Sequence, residues 1–229
     1  GLVMTPLLRT GPQIGLLIAA IVAISVFFLT FPEVDLFVSG LFYDSGRGFV
    51  LAKNRDFAVF RRSGDIVVVV VALALVATLV VKVLRPDRPS LVPANLVAFL
   101  LASLAAGPGL LVNAVLKDHW GRPRPVMIDA FGGDKPYVEV WRITDQCARN
   151  CSFVAGEASS AIWLAVALTL VVPKDLRLLT AAAALAYAVL LSLNRIAFGG
   201  HFISDVLLSW TLTLLVMAIL YRLMVARPS

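Results

Sequence analysis

Long apolar runs with almost no charge recur along this chain of 229 residues. A helix needs about 20 apolar residues to cross a bilayer. Six runs approach that length, at roughly 12–31, 66–84, 92–116, 153–172, 178–194 and 202–221. The pattern predicts an all-α fold, with residues 1–229 forming one membrane-integral domain of six transmembrane helices and two non-cytoplasmic loop segments. A signal sequence is the alternative for 12–31, but no obvious small-residue cleavage site follows it.

Composition supports the membrane assignment, because 60% of the residues are hydrophobic and the mean hydropathy is +0.91. A soluble domain of this length could not bury so much apolar surface. Pro108, in AAGPGLL, is expected to kink or loosen the third helix. The segment 52–64, AKNRDFAVFRRSG, is either a short helix on the membrane surface or a solvated loop.

The net charge of +6 suggests nucleic-acid binding until its distribution is considered. The excess lies in the N-terminal segment, the links 82–88 and 174–177 and the C-terminal tail, whereas 32–65 and 118–151 are each neutral. Positive charge favours the cytoplasmic side. The distribution predicts a multi-pass protein with cytoplasmic termini and no nucleic-acid partner.

Four charged residues remain at helix ends on the other side: Lys117, Glu157, Arg195 and Asp205. Ionisable groups at membrane depth are costly and indicate function by default. A Lys or Arg that extends its charge to the interface is the alternative. Four such groups on one face favour a functional site.

Three clusters would meet on that face: 117–125 (KDHWGRPRP), 152–160 (SFVAGEASS) and 194–205 (NRIAFGGHFISD). His201 and Asp205 are four residues apart on one helix face, so the carboxylate could accept from one imidazole nitrogen and leave the other free. Both histidines of the chain, His119 and His201, lie in these clusters.

The remaining groups of the clusters suit an anion. Lys117, Arg124 and Arg195 are cationic donors able to surround the oxygens of a phosphoryl group. Gly156 opens a helix whose N-terminal N–H groups favour an anion, although serines there could be simple caps. No Asp/Glu/His grouping suits a metal, so we expect neither a metal nor another cofactor.

Two cysteines, Cys147 and Cys151, occur in CARNC, within the second non-cytoplasmic segment. The spacing and the oxidising side favour a small disulfide just before the fourth helix. Metal binding by the two thiols is the alternative.

The patterns K-x6-R-P, at Lys117, Arg124 and Pro125, and R-x5-H-x3-D, at Arg195, His201 and Asp205, resemble two signatures of the type-2 phosphatidic acid phosphatase superfamily. The six-helix membrane branch of that family is the one resembled. The resemblance implies metal-independent phosphatase activity in which His201 attacks phosphorus, forms a phosphohistidine and is oriented by Asp205. Lys117, Arg124 and Arg195 would hold the phosphate oxygens.

The family's second signature, P-S-G-H, here reads Val154-Ala155-Gly156-Glu157. Ala155 therefore replaces the serine that donates to phosphate, and its loss would impair turnover. Glu157 replaces the histidine that protonates the leaving group. Burial would favour the protonated form of Glu157, which could then serve as the acid. His119 is the alternative donor.

The resemblance implies a membrane lipid phosphate as substrate, reached from the bilayer at the periplasmic face of a bacterial inner (cytoplasmic) membrane. The stretch SFVAGEAS, at 152–159, favours lipid A 1-phosphate by resemblance. Phosphatidylglycerol phosphate and undecaprenyl pyrophosphate are alternative substrates. A lipid phosphotransferase and a catalytically impaired lipid-phosphate-binding protein are alternative functions. No protein partner is required by any of these readings.

Overall fold

The computed structural model describes residues 11–226. Both termini of the chain lie outside these residues, so the expected cytoplasmic position of the termini stays a prediction. Within the described part the protein is an all-α membrane bundle with one very short β-hairpin. The expected fold class is confirmed.

Seven α-helices carry the fold within residues 11–226. In chain order they are α1 (Gly11–Thr30), α2 (Glu33–Gly40), α3 (Arg55–Leu84), α4 (Ala94–Leu104), α5 (Gly156–Val171), α6 (Arg177–Ala197) and α7 (Ile203–Met224). Five segments are long and apolar enough to cross a membrane, and α5 is a shorter apolar helix of 16 residues. At 1.5 Å per residue, α5 is about 24 Å long.

Helix α3 begins eleven residues earlier than the apolar run at 66–84 predicts. The side-chain oxygen of Asn54 accepts hydrogen bonds from the backbone N–H groups of Asp56, at 2.8 Å, and Phe57, at 3.4 Å. This cap starts the helix at Arg55. Both interpretations of 52–64, a separate surface helix and a solvated loop, are therefore wrong, since residues 55–64 are the first turns of α3.

The rest of the first loop segment packs against the second. Strands β1 (Tyr43–Asp44) and β2 (Gly48–Phe49) pair antiparallel. The rings of Tyr43 and Phe49 both contact Phe131, at centroid distances of 5.2 and 5.5 Å. This aromatic cluster fixes the two loops to each other at one end of the bundle.

The expected distortion near Pro108 is present. Helix α4 continues as a π-helix over Ala105–Leu116 and ends in one α-helical turn, Lys117–His119. Proline lacks the N–H group that an α-helix needs at this position. The side-chain amide of Asn113 donates to the Pro108 carbonyl at 2.6 Å.

Helix α5 lies at the centre of the bundle and packs against α6, α7 and α3. Twelve of its 16 residues are buried. Trp163 is fully buried, and its indole N–H is satisfied by the Leu100 carbonyl and the Ser103 hydroxyl, both at 3.1 Å. A helix surrounded by protein in this way delivers its N-terminal residue, Gly156, to the middle of one end of the bundle.

Close packing between α3 and α6 depends on Gly64, because a Cβ atom there would lie 3.0 Å from Cδ1 of Leu191. We expect Gly64→Leu to lower the thermal stability of the protein in detergent, by about 1–3 kcal/mol of unfolding free energy, through overpacking. The control is Gly15→Leu in α1, where a Cβ would meet nothing within 4 Å. Equal melting temperatures for the two variants would contradict this account.

Candidate active site

His201 lies in the turn between α6 and α7 and is fully buried. Its Nδ1 atom is 2.7 Å from the backbone carbonyl oxygen of Ser152. A carbonyl only accepts, so Nδ1 carries the proton and Nε2 carries the lone pair. Burial lowers the pKa of His201 to about 4, against the opposing effect of Glu157. The imidazole is thus neutral at neutral pH, with Nε2 available as a nucleophile.

No hydrogen bond or ion pair joins Asp205 to His201, which corrects the expected direct pair. Its carboxylate accepts instead from the Ser152 hydroxyl at 2.5 Å, the Phe202 backbone N–H at 2.9 Å and Nη1 of Arg122 at 2.6 Å. The contact to Ser152 is indirect support for the imidazole, because the carbonyl of the same serine holds Nδ1. Asp205 therefore fixes the residue that orients His201.

Arg122 lies at the centre of the buried polar network that includes Asp205, and it was not identified from the sequence. Its guanidinium bridges Asp205, at 2.6 Å, and Asp35, at 2.8 Å, and all three side chains are fully buried. Nη1 also donates to the Ser204 hydroxyl at 3.0 Å. Burial acts to lower the pKa of Arg122, but Asp205 and Asp35 outweigh it and raise the pKa above its ordinary value.

Asp35 was also missed, and it completes this network from α2. Its carboxylate accepts from the backbone N–H and the hydroxyl of Ser204, at 3.0 and 2.6 Å, and from the Tyr137 hydroxyl at 3.1 Å. Burial and the adjacent Asp35 raise the pKa of Tyr137, so the phenol stays neutral. Asp35 and Arg122 stood in loop segments of balanced charge, and nothing in the sequence marks them as buried.

Glu157, in the first turn of α5, places its carboxylate among the expected phosphate ligands. Oε1 is 3.2 Å from Nε of Arg195 and 3.0 Å from Nη2 of Arg61. Oε2 faces Nε2 of His201 at 3.5 Å. These positive partners favour the ionised carboxylate over the protonated form that burial alone predicts. Arg61, from α3, is a further site residue that the sequence did not reveal.

Glycines allow the backbone to approach the cations. A Cβ on Gly156 would lie 2.7 Å from Oδ1 of Asn113 and 3.1 Å from Nζ of Lys117. A Cβ on Gly200 would lie 2.5 Å from Nη2 of Arg195. Lys117 can therefore lie against the N-terminus of α5, and Arg195 against the turn that carries His201, only because no side chain stands in their way.

Ala155 precedes α5 and is fully buried. Its methyl group packs with Ala158, Ile196 and Val206. Its backbone N–H donates to the Asp205 carbonyl at 3.3 Å, and its carbonyl accepts from the Ser209 hydroxyl at 2.6 Å. No side chain caps the helix at this position, so the N–H groups of the first turn of α5 are not taken by a cap.

Arg124 and His119 are less central than Lys117 and Arg195. Arg124 donates three hydrogen bonds to Asn150, and burial lowers its pKa while Glu157 opposes that shift. His119 is exposed, and its Nδ1 lies 3.0 Å from the Val115 carbonyl. Within residues 11–226 no hydrogen bond or ion pair joins His119 to Glu157 or His201.

A disulfide joins Cys147 and Cys151, whose Cα atoms are 5.8 Å apart. It closes the end of the second loop, immediately before Ser152. The N–H of Cys151 donates to the Lys117 carbonyl at 3.1 Å, and that of Ser152 to the Arg122 carbonyl at 2.9 Å. The segment that the disulfide closes therefore connects residues 117–125 to Ser152, whose carbonyl oxygen accepts from Nδ1 of His201.

Three buried polar atoms at the centre of the site make no hydrogen bond and have only the ion-pair contacts described above: Nε2 of His201, Oε2 of Glu157 and Nε of Arg195. Buried polar atoms are nearly always satisfied, so such a group indicates a place for a polar ligand or a reacting atom. A nucleophile, a carboxylate and a cation around one point suit phosphoryl transfer. No group of three or more His, Cys, Asp or Glu able to hold a metal occurs among the described residues.

Comparison with known proteins agrees with this arrangement. The family model of the PAP2 superfamily matches residues 94–229, more than half of the chain. This protein belongs to the PAP2 superfamily. The two signatures that suggested the resemblance lie in the matched part, whereas Asp35 and Arg61 lie before it. No solved structure matches the chain significantly.

The PAP2 relatives include three proteins named lipid A 4′-phosphatase. The chain is 36% identical over 212 residues to that of Francisella tularensis subsp. novicida (strain U112), covering 86% of this chain and 90% of the relative. It is 50% identical over 123 residues to that of Rhizobium leguminosarum, and 49% over 123 residues to that of Rhizobium etli. The match spans about half the length of the two Rhizobium proteins, 52% and 48%.

Removing Arg122 would leave two buried carboxylates without their shared cation. We expect Arg122→Leu to destabilise this PAP2 protein by about 3–5 kcal/mol, because an uncompensated buried charge is costly. Arg122→Lys should recover only part of the loss, since a single ammonium cannot bridge Asp35 and Asp205 as a planar guanidinium does. Chemical unfolding in detergent measures both. Wild-type stability for Arg122→Leu would show that the bridge contributes nothing.

The tautomer of His201 can be observed directly, because the chain has two histidines and His119→Gln removes the other. Nitrogen NMR of labelled histidine should show a neutral ring at neutral pH with the proton on Nδ1. The signal should titrate at about 4. Glu157→Gln should lower that pKa further, because Glu157 raises it. Titration near the ordinary value of about 6.5 would contradict the buried, neutral nucleophile.

Proposed function

We propose that this PAP2 protein removes phosphate from a membrane lipid through a phosphohistidine on His201. The observation that carries the proposal is Nε2 of His201, which makes no hydrogen bond and faces Glu157 in a site that also contains Arg195. Lys117 lies at the same helix N-terminus, beside Gly156. A nucleophile surrounded by cations, at the end of a helix that favours anions, suits attack on a phosphate.

In the first step, the lone pair on Nε2 of His201 attacks phosphorus and forms a P–N bond. The P–O bond to the lipid breaks, and its electron pair leaves with the lipid oxygen, which takes a proton. Charge on the transferring group is stabilised by Lys117, Arg124 and Arg195. The proton on Nδ1 stays on the ring and is held by the Ser152 carbonyl, which stabilises the positive charge of the phosphorylated imidazole.

In the second step, water attacks phosphorus and the P–N bond breaks, releasing inorganic phosphate and neutral His201. Glu157 is placed to give the proton in the first step and to take one from water in the second. In the free site its positive partners favour the carboxylate. A phosphate that binds Arg195 and Lys117 draws those charges away from Glu157 and adds negative charge, so substrate binding favours the protonated carboxyl that the first step needs.

The substrate we propose is the 4′-phosphate of lipid A, because all three relatives carry that name and one matches over most of both chains. This substrate replaces the 1-phosphate of lipid A, which the sequence favoured only by resemblance around SFVAGEAS. Phosphatidylglycerol phosphate and undecaprenyl pyrophosphate remain the comparison substrates.

We propose that the site faces the periplasm from the inner membrane. Positive charge concentrates at the opposite end of the predicted bundle, in the links 82–88 and 174–177. The disulfide at the site end supports an oxidising compartment there.

The test is phosphate release in detergent from lipid A carrying the 4′-phosphate, the 1-phosphate or both, with the two other lipids alongside. We expect release from the 4′ position, unaffected by a metal chelator. His201→Ala should lower the rate by at least about 10³-fold, because the nucleophile is lost. His119→Ala, the matched control, should keep the wild-type rate. Equal activity of both variants would reject His201 as the nucleophile.

Two other outcomes would redirect the proposal. Transfer of phosphate to an added lipid acceptor, rather than to water, would indicate a phosphotransferase. Lipid binding without turnover or phosphohistidine would indicate a binding protein, for which the replacement of the family serine by Ala155 is the supporting observation.

A further inference from the structure

Glu157 is held by an arginine that no PAP2 signature contains. Arg61 lies on α3, outside the matched residues 94–229. Its Nε and Nη2 atoms donate to Oε1 of Glu157 at 3.3 and 3.0 Å, across 96 positions of sequence. The contact therefore exists only because the bundle brings the start of α3 against the start of α5.

Arg61 binds only one of the two carboxylate oxygens of Glu157. Arg61 and Arg195 both lie on Oε1, whereas Oε2 has no hydrogen-bond partner and faces Nε2 of His201 at 3.5 Å. The two hydrogen bonds from Arg61 restrict rotation of the carboxyl group, Arg195 adds an ion-pair contact to the same oxygen, and the other oxygen is left pointing at Nε2 of His201. The two oxygens of Glu157 therefore differ: Oε1 is held by arginine, and Oε2 faces His201.

We propose that Arg61 is a positioning residue for Glu157, which fixes Oε1 so that Oε2 stays beside the reacting phosphorus for proton transfer. The proposal rests on the proposed function of Glu157 in the PAP2 reaction. Arg195 cannot do this alone, because the substrate phosphate would compete for it. Arg61 lies at the rim, with 43% of its side chain exposed, and reaches Glu157 from α3, an element that carries none of the signature residues.

Helix α3 is anchored around Arg61, so the arginine is presented by a fixed backbone. The Asn194 side chain donates to the Phe57 carbonyl at 3.1 Å, one turn before Arg61. The Ser63 hydroxyl bonds the Tyr187 hydroxyl at 2.6 Å. Gly64 lets α6 approach within van der Waals contact just after. Such support is what a positioning side chain requires.

The test compares Arg61→Ala with Arg62→Ala, which removes the same charge one residue along. Arg62 is exposed, and its side chain has no hydrogen bond or ion pair within the described chain. The assay uses p-nitrophenyl phosphate as well as lipid A. We expect Arg61→Ala to lower kcat by at least about tenfold with KM changed less than about threefold, because Arg61 acts through Glu157 and not on substrate. Arg61→Lys should recover part of kcat.

A double substitution decides whether Arg61 acts through Glu157. In a Glu157→Gln background, Arg61→Ala should cost less than about twofold in kcat, since residues of one unit are non-additive. A full tenfold loss in that background would overturn the proposal, as would a rise in KM alone or equal effects of Arg61→Ala and Arg62→Ala. Turnover of p-nitrophenyl phosphate but not lipid A would reject the proposed substrate while leaving the Arg61 comparison readable.

Discussion

The arrangement of the site depends on one buried cation between two buried carboxylates. Arg122 joins Asp35 of α2 to Asp205 of α7, and none of the three side chains reaches solvent. Such a group is tolerated only when each charge is paired and each remaining donor or acceptor is bonded. Ser204 and Tyr137 complete the bonding of Asp35. The requirement fixes the relative positions of both loops and α7.

From that constraint the position of His201 follows. Asp205 receives Arg122 on one oxygen and the Ser152 hydroxyl on the other, and the Ser152 carbonyl holds Nδ1 of the histidine. A carboxylate placed directly on the imidazole would stabilise a positive ring more strongly than a carbonyl does. The Ser152 carbonyl between Asp205 and His201 selects the same tautomer but stabilises a positive ring less, and burial keeps the imidazole neutral.

Glu157 shows how a changed signature residue is accommodated. A histidine at this position could be neutral among cations, whereas a carboxylate attracts them. The structure supplies Arg61 in addition to Arg195, so the negative charge introduced by Glu157 has its own counterion. The N-terminus of α5 also favours a carboxylate in its first turn. The replacement and the arginine on α3 form one physical unit.

The sequence by itself determined the membrane bundle, the spacing of the two signatures and the gathering of Lys117, Glu157, Arg195 and His201 at one end, because apolar run lengths and helical spacing are local properties. It also pointed to the distortion at Pro108 and to the pairing of Cys147 with Cys151. Only the tertiary structure decided that Asp205 holds Ser152 and not His201, and that Asp35, Arg61 and Arg122 belong to the site. Those contacts join residues from 53 to 169 positions apart. Nothing in the local sequence shows that a charged loop residue is buried. Its partner is therefore known only once the packing of the helices is known.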